Sequence, residues 1–157
     1  MTKLSSAFGE SYQKASQQIR TKTFELGGHT FKVRIPLTKE MDEINARIEN
    51  IDQEEANRRY EKMAAPFREM TNVESLVITD DDVIFDGRST RELVKTIMTM
   101  EARMVEYIKL LVPENGEWWD LTYEDIETEW PMAVQLEVLN KIIEAIQPGY
   151  KDSRKNS

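Results

Sequence analysis

Carboxylates are the most abundant chemically active groups in this sequence, which has 29 Asp and Glu residues, one histidine and no cysteine. The histidine, His29, directly follows Gly27-Gly28, a pair that predicts a hairpin turn, so a Ser-His-Asp triad would have to be built on a loop tip. Neither standard phosphate-binding glycine motif occurs, and His and acidic residues nowhere have metal-ligand spacing. Because acids this numerous are mostly solvated surface groups, they identify no general acid and base. We predict that the protein is not an enzyme and has no catalytic, cofactor-binding or metal-binding residue.

The aspartates of residues 80–86 have the composition of a calcium-binding loop. If Gly87 held the invariant glycine position of an EF-hand, the twelfth position would be Leu93, where a bidentate glutamate is required. The EF-hand template therefore fails. We interpret these aspartates as turn residues between two short strands, 76–78 and 83–85.

The three tryptophans of the chain lie in or beside one acidic stretch, residues 114–129. The stretch contains no lysine or arginine between its carboxylates, which are Glu114, Glu117, Asp120, Glu124, Asp125, Glu127 and Glu129. Aromatic side chains dominate the energetics of protein interfaces, and methionine adapts to irregular partner surfaces. We therefore predict a partner-binding site that consists of Trp118, Trp119, Trp130, Met132 and Leu136. The alternative is that at least two of the tryptophans anchor the protein's own core.

An amphipathic helix is predicted to follow the acidic stretch. Apolar residues at alternating spacings of four and three form one stripe on this helix: Met132, Leu136, Leu139, Ile143 and Ile146. Pro131 suits the first helical position, and Pro148-Gly149 ends the helix. We expect the rest of the domain to cover this stripe.

Further elements are predicted upstream of the acidic stretch. Residues 23–35 alternate apolar and polar side chains around Gly27-Gly28, which is the pattern of a β-hairpin. A long helix with a polar middle begins near Thr38 and kinks or ends at Pro66. A central core helix then begins at a Ser89 or Thr90 cap. Its apolar residues keep a helical spacing: Leu93, Ile97, Met100, Met104, Ile108 and Leu111.

These patterns predict a mainly α fold with a small β-hairpin component, an α+β class built as one compact helical domain. The length of 157 residues and the 39% hydrophobic content are sufficient for one core. Residues 1–22 are rich in Ser and Gln with few apolar side chains, which predicts a flexible N-terminal arm. We expect the single domain over residues 23–149 and a disordered C-terminal tail over residues 150–157.

The net charge of −8 opposes binding to phosphate backbones and to anionic membranes. We therefore expect neither nucleic acid nor a membrane among the partners. The sequence has no apolar run long enough for a membrane span and no signal-peptide pattern at its N-terminus. The lack of cysteine is compatible with a reducing compartment, and we expect a cytoplasmic protein.

The order and size of these elements resemble the tail assembly chaperones of long-tailed bacteriophages. The likeness covers residues 23–149. It is clearest in the hairpin and helix start TKTFELGGHTFKVRIPLTKEM and in the segment EDIETEWPMAVQLEVLNKIIEAIQPG, with its Trp130-Pro131 helix start. The N-terminal arm and the polar stretch 53–59 depart from the family pattern.

The resemblance implies a mainly helical protein that binds and solubilises the tape measure protein and promotes tail tube assembly. It implies action in the host cytoplasm and absence from the mature virion. In many relatives a minus-one ribosomal frameshift adds a C-terminal extension that recruits tail tube protein. Lys155-Asn156 is a dipeptide that the slippery codons A-AAA-AAC encode. The implied partners are therefore the tape measure protein and, through a frameshifted extension, the tail tube protein; homo-oligomerisation stays open.

Two other classes of function compete with this expectation. One is a structural tail or connector subunit that is retained in the particle. The other is an acidic DNA-mimic inhibitor that uses the carboxylates of residues 80–86 and 114–129. The mimic would bind its partner with a strong dependence on salt and would need regular charge spacing along an exposed face.

Overall fold

The structure, a computed structural model, describes residues 1–70 and 72–148. Within these ranges the chain forms six helices and two small antiparallel sheets, which confirms the predicted mainly α, α+β class. In chain order the elements are α1 (Lys3–Ile19), β1 (Thr21–Leu26), β2 (His29–Arg34), α2 (Thr38–Glu49), α3 (Gln53–Arg68), β3 (Leu76–Ile78), β4 (Val83–Phe85), β5 (Arg88–Ser89), α4 (Thr90–Ile108), α5 (Tyr123–Glu129) and α6 (Met132–Ile146).

Contacts divide the chain into two compact units. The first unit consists of Met1–Met41 and Met104–Ser157, and the second consists of Asp42–Arg103. The division depends on tertiary contacts, which periodicity along the chain does not record, and the arm over residues 1–22 and the single domain over residues 23–149 stay predictions. The predicted tail, residues 150–157, lies outside the described residues.

In the first unit, β1 and β2 form the predicted hairpin. Gly27 and Gly28 have φ angles of 60° and 80°, so both turn positions need the left-handed conformation that glycine adopts most readily. The register places Phe24 opposite Phe31, and their rings stack with centroids 5.2 Å apart. The two-residue turn fixes the register of the strands, and this register places Phe24 and Phe31 on the same face of the hairpin.

Residues 1–22, for which the sequence predicted an N-terminal arm, contain the helix α1 and the start of β1. The Thr2 side chain caps this helix by accepting a hydrogen bond from the Ser5 N–H, at 3.1 Å. Gly9, with φ of 80°, interrupts the helical backbone. No residue of α1 is buried. The helix forms without burying an apolar face, and the flexibility of the arm stays a prediction.

The segment after α4 adds a third strand-like partner to the hairpin. The Arg34 N–H donates to the Leu110 carbonyl and the Val112 N–H donates to the Lys32 carbonyl, each at 2.8 Å. Val33, which is fully buried, forms an antiparallel bridge with Leu111. Both edges of β2 are therefore hydrogen-bonded, one by β1 and the other by residues 110–112.

The buried face of α6 lies beside the predicted stripe. The residues of this helix that are buried are Gln135, Val138, Leu139 and Ile142. Of the predicted stripe, Leu139 is buried, whereas Met132 and Leu136 are exposed. The sequence alone did not show which apolar row of α6 is buried, because Val138 and Ile142 supply a second row at helical spacing.

In the second unit, the predicted long helix is two helices. Asp52 separates α2 from α3 and accepts hydrogen bonds from the N–H groups of Glu54 and Glu55, which makes it the N-cap of α3. Pro66 lies inside α3, which continues to Arg68. The core of this unit packs α3, β4 and α4 together through four buried side chains: Tyr60, Ala64, Val83 and Val94.

The β-strands of the second unit form a three-stranded sheet in the order β3-β4-β5. Asp82 holds the turn before β4: its carboxylate accepts hydrogen bonds from the Ser89 hydroxyl and from the N–H groups of Val83 and Arg91. Ser89 also caps α4, because its hydroxyl accepts from the Glu92 N–H at 3.1 Å. Asp82 thus has the turn role predicted for it.

Candidate partner-binding surface

Trp118 lies between two adjoining cavities of the first unit. The larger, about 310 Å³, also has Arg34, Lys109 and Trp119 in its wall. The smaller, about 270 Å³, is lined by Trp118, Trp130 and the β2 residues from His29 onward. Residues 111–113 line both cavities. The pairing of residues 110–112 with β2 therefore positions the wall that the two cavities share.

Trp130 belongs to an aromatic cluster on the hairpin. Its ring meets the edge of Phe31 with centroids 6.5 Å apart, and His29 meets Phe31 at 4.6 Å. Phe31 in turn stacks on Phe24. Trp130 is partly buried by these contacts, so one of its functions is to anchor the sequence after α5 onto the sheet.

Gln135 is a buried polar residue that fixes the backbone at Trp130. Its Nε2 donates to the Trp130 carbonyl at 2.9 Å, and its Oε1 accepts from the Tyr123 hydroxyl at 2.9 Å. Only 2% of Gln135 is exposed. Sequence reasoning missed this residue, because a glutamine between apolar helix residues is normally assigned to the solvent side.

Three of the predicted partner-binding residues are exposed in the first unit. Trp119 is 65% exposed, Met132 is 43% exposed and Leu136 is 44% exposed. Trp118 and Trp130, by contrast, are partly buried. The structure thus brings the three tryptophans together around the two cavities through Trp118, whereas Met132 and Leu136 form a separate exposed row on α6 and line neither cavity. We call these five residues the tryptophan surface.

The acidic stretch surrounds the tryptophans with negative charge. All seven of its carboxylates are exposed: Glu114, Glu117, Asp120, Glu124, Asp125, Glu127 and Glu129. Asp125 has a local role as well, because it completes the capping box of α5 with Thr122. Hydrogen bonds from the Thr122 backbone and hydroxyl lower the pKa of Asp125. The exposed carboxylates form a charged border next to apolar side chains.

Among residues 1–70 and 72–148, no group of three or more His, Asp or Glu side chains is arranged to hold a metal ion. In the same ranges no helix has both the length and the apolar character that crossing a bilayer requires.

Comparisons of the chain with protein-family models, with curated proteins and with solved structures give no significant match.

Proposed function

We propose that this protein is a phage tail assembly chaperone that binds and solubilises the tape measure protein and promotes tail tube assembly in the host cytoplasm. The observation that supports this proposal is the tryptophan surface. It combines the largely exposed Trp119, two cavities around Trp118 and the exposed side chains of Met132 and Leu136. Exposed aromatic and methionine side chains of this kind are typical of protein-binding surfaces.

In the proposed partner contact, some residues touch the partner and others maintain the shape of the surface. A long helical tape measure protein exposes apolar side chains before the tube encloses it, and these are prone to self-association. Trp119 and the α6 row would cover such side chains, while Trp118 and Trp130 hold the surface in shape. The exposed carboxylates of residues 114–129 and the net charge of −8 would keep the complex in solution.

The second proposed partner is the tail tube protein, reached through an extension that a frameshift near Lys155-Asn156 would add. In that arrangement the present chain supplies the tape-measure contact and the longer product supplies the tube contact. Only the minor, extended product would then bring tube subunits to the complex. The chaperone would leave before the virion is complete.

Co-expression with the tape measure protein of the same genome tests the proposal. We expect the tape measure protein to be insoluble alone and soluble as a complex with this chain. Trp119→Ala combined with Leu136→Ala should abolish this rescue, whereas Glu144→Ala, an exposed change elsewhere on α6, should preserve it. A tape measure protein that stays insoluble with the wild-type chain contradicts the proposal.

A subunit retained in the particle would also need an exposed apolar surface, so it is the second candidate. Mass spectrometry of purified virions separates the two, because the chaperone is absent and the structural subunit is present in fixed copy number. The DNA-mimic alternative is less well supported, since the Asp82 carboxylate is occupied by three hydrogen bonds within the fold.

A further inference from the structure

The second unit contains a cavity of about 250 Å³ that the proposed chaperone function does not use. It lies between the first turns of α3 and α4. Its polar lining is supplied mainly by Gln53, Asn57, Arg91, Glu92 and Lys95. Polar groups that converge on a concave site provide specificity for a small ligand or for a protruding side chain.

Arg91 is held rigidly at this cavity. Its guanidinium carbon lies 3.9 Å from the centroid of the Tyr60 ring, and Tyr60 is only 1% exposed. The Arg91 Nε donates to the Asp81 carbonyl, and Nη1 donates to Asn57 Oδ1 at 3.2 Å. A cation stacked on a buried ring and fixed by two hydrogen bonds has little conformational freedom left to lose on binding.

The Nη2 group of Arg91 retains its hydrogen-bond donors, although the carboxylates of Glu61 and Asp82 interact electrostatically with this guanidinium. In the part of the chain that the structure describes, no acceptor bonds to its Nη2, which carries two of the five N–H donors of an arginine. A planar guanidinium with free donors matches the oxygens of a carboxylate or phosphate group. The contact with the Tyr60 ring and the two hydrogen bonds therefore leave the Nη2 donors of Arg91 without an acceptor among the described residues.

Lys95 adds a second positive charge to the same cavity. It lies four residues after Arg91 on α4, so the two side chains are on one helix face. No salt bridge joins Lys95 to residues 1–70 or 72–148. The Glu92 carboxylate also lines the cavity and opposes an anion, and the Asp82 carboxylate accepts from the Arg91 backbone N–H.

We propose that this cavity binds an oxyanion, either a carboxylate or a phosphate group, through the Arg91 guanidinium and the Lys95 ammonium, with the amides of Gln53 and Asn57 at its rim. The guanidinium supplies directed hydrogen bonds and the ammonium supplies charge. Glu92 limits the affinity by repulsion.

Titration of the full chain with inorganic phosphate and, separately, with succinate tests this site. The readout is the nuclear magnetic resonance signal of the Arg91 Nε–H and of the backbone amides around it. We expect saturable shifts with at least one anion at concentrations up to about 20 mM. Saturation by phosphate alone assigns a phosphate-bearing ligand, and saturation by succinate alone assigns a carboxylate ligand.

Matched variants separate the site from general charge effects. Arg91→Gln should weaken binding about tenfold or more, and Lys95→Met about threefold to tenfold. Glu92→Gln should tighten binding. Lys62→Met, which makes the same charge change at an exposed position of α3 outside the cavity, should bind as the wild type does.

Three results would overturn the site. They are a lack of saturable shifts with both anions, wild-type affinity in both Arg91→Gln and Lys95→Met, and equal weakening by Lys62→Met. Lys95 makes no hydrogen bond or salt bridge through its side chain within the described ranges, so its variant remains informative if Arg91→Gln unfolds.

Discussion

The guanidinium of Arg59 on α3 makes a two-point ion pair with the carboxylate of Glu101 on α4. The Nη1–Oε2 distance is 2.5 Å and the Nη2–Oε1 distance is 3.1 Å. The Glu101 side chain is only 15% exposed, and Arg59 Nε also donates to Glu55. The hydrogen bond to Glu101 is the main reason that the pKa of Arg59 is raised.

We predict that Glu101→Ala lowers the free energy of unfolding by about 1 to 2 kcal/mol, because it leaves the Arg59 guanidinium with only Glu55 as a partner, whose side chain is more exposed than that of Glu101. The exposed pair of Arg58 with Glu55 is the matched comparison, and Arg58→Ala should cost less than about 0.5 kcal/mol. Urea unfolding measures both. Equal costs for the two variants would contradict a special contribution from Glu101.

Replacing Gln135 tests the buried polar contacts of α6. Gln135→Ala should destabilise the protein by about 2 to 3 kcal/mol, since it opens a gap and leaves the Tyr123 hydroxyl and the Trp130 carbonyl without this partner. Asn140→Ala, on the exposed side of the same helix, should change stability little. Thermal unfolding followed by circular dichroism provides the comparison, and a neutral Gln135→Ala would show that these hydrogen bonds are dispensable.

The tryptophans should divide into two classes. Trp130→Ala should lower stability by about 2 kcal/mol, because it removes the contact with Phe31. Trp119→Ala should leave stability within about 0.5 kcal/mol of the wild type and weaken partner binding about tenfold or more. Calorimetry with the tape measure protein measures the second effect. A Trp119→Ala variant that binds normally would remove this residue from the partner-binding site.

The Asp82 turn should make stability depend on pH. Burial acts to raise the pKa of Asp82, but hydrogen bonds from Ser89 and from the Arg91 and Val83 N–H groups outweigh it, so the pKa is lowered below the ordinary value of 3.8. A lowered folded-state pKa contributes stability that is present above the ordinary pKa and is lost as the pH falls through the folded value. The stability advantage of wild type over Asp82→Asn should therefore shrink below about pH 4.

The control for this pH dependence is Asp80→Asn, because Asp80 makes none of the hydrogen bonds that hold the turn. Its stability relative to the wild type should change little over the same pH range. Chemical unfolding at a series of pH values measures both variants. A pH-independent difference between wild type and Asp82→Asn would contradict the assignment.

Local signals in the sequence predicted the local structure. Gly27-Gly28 between alternating residues specified the first hairpin and its register, because a two-residue turn fixes which strand residues face each other. The Ser89 hydroxyl marks the predicted start of α4 through a contact three residues away. Signals of this range need no knowledge of the rest of the fold.

Features that depend on distant residues were not predictable in the same way. The sequence gives α6 two apolar rows, and the choice between Leu136 and Val138 as core residue is made by what packs on the helix. The cavities around Trp118 combine β2 with residues that follow α4. Gln135 is buried only because Tyr123 and Trp130 satisfy it. The partner-binding site stays a prediction: the sequence singled out the tryptophans, but it did not show the cavities around Trp118.

The bridge between Val33 and Leu111 also determines when the two cavities around Trp118 can form during synthesis of the chain. The hairpin can close as soon as β2 emerges, but the strand-like segment on its other edge is translated much later, after α4. Contacts this distant in sequence form late, since a long loop must close first. A nascent chain therefore lacks the wall that the two cavities around Trp118 share until residues 111–113 have been synthesised.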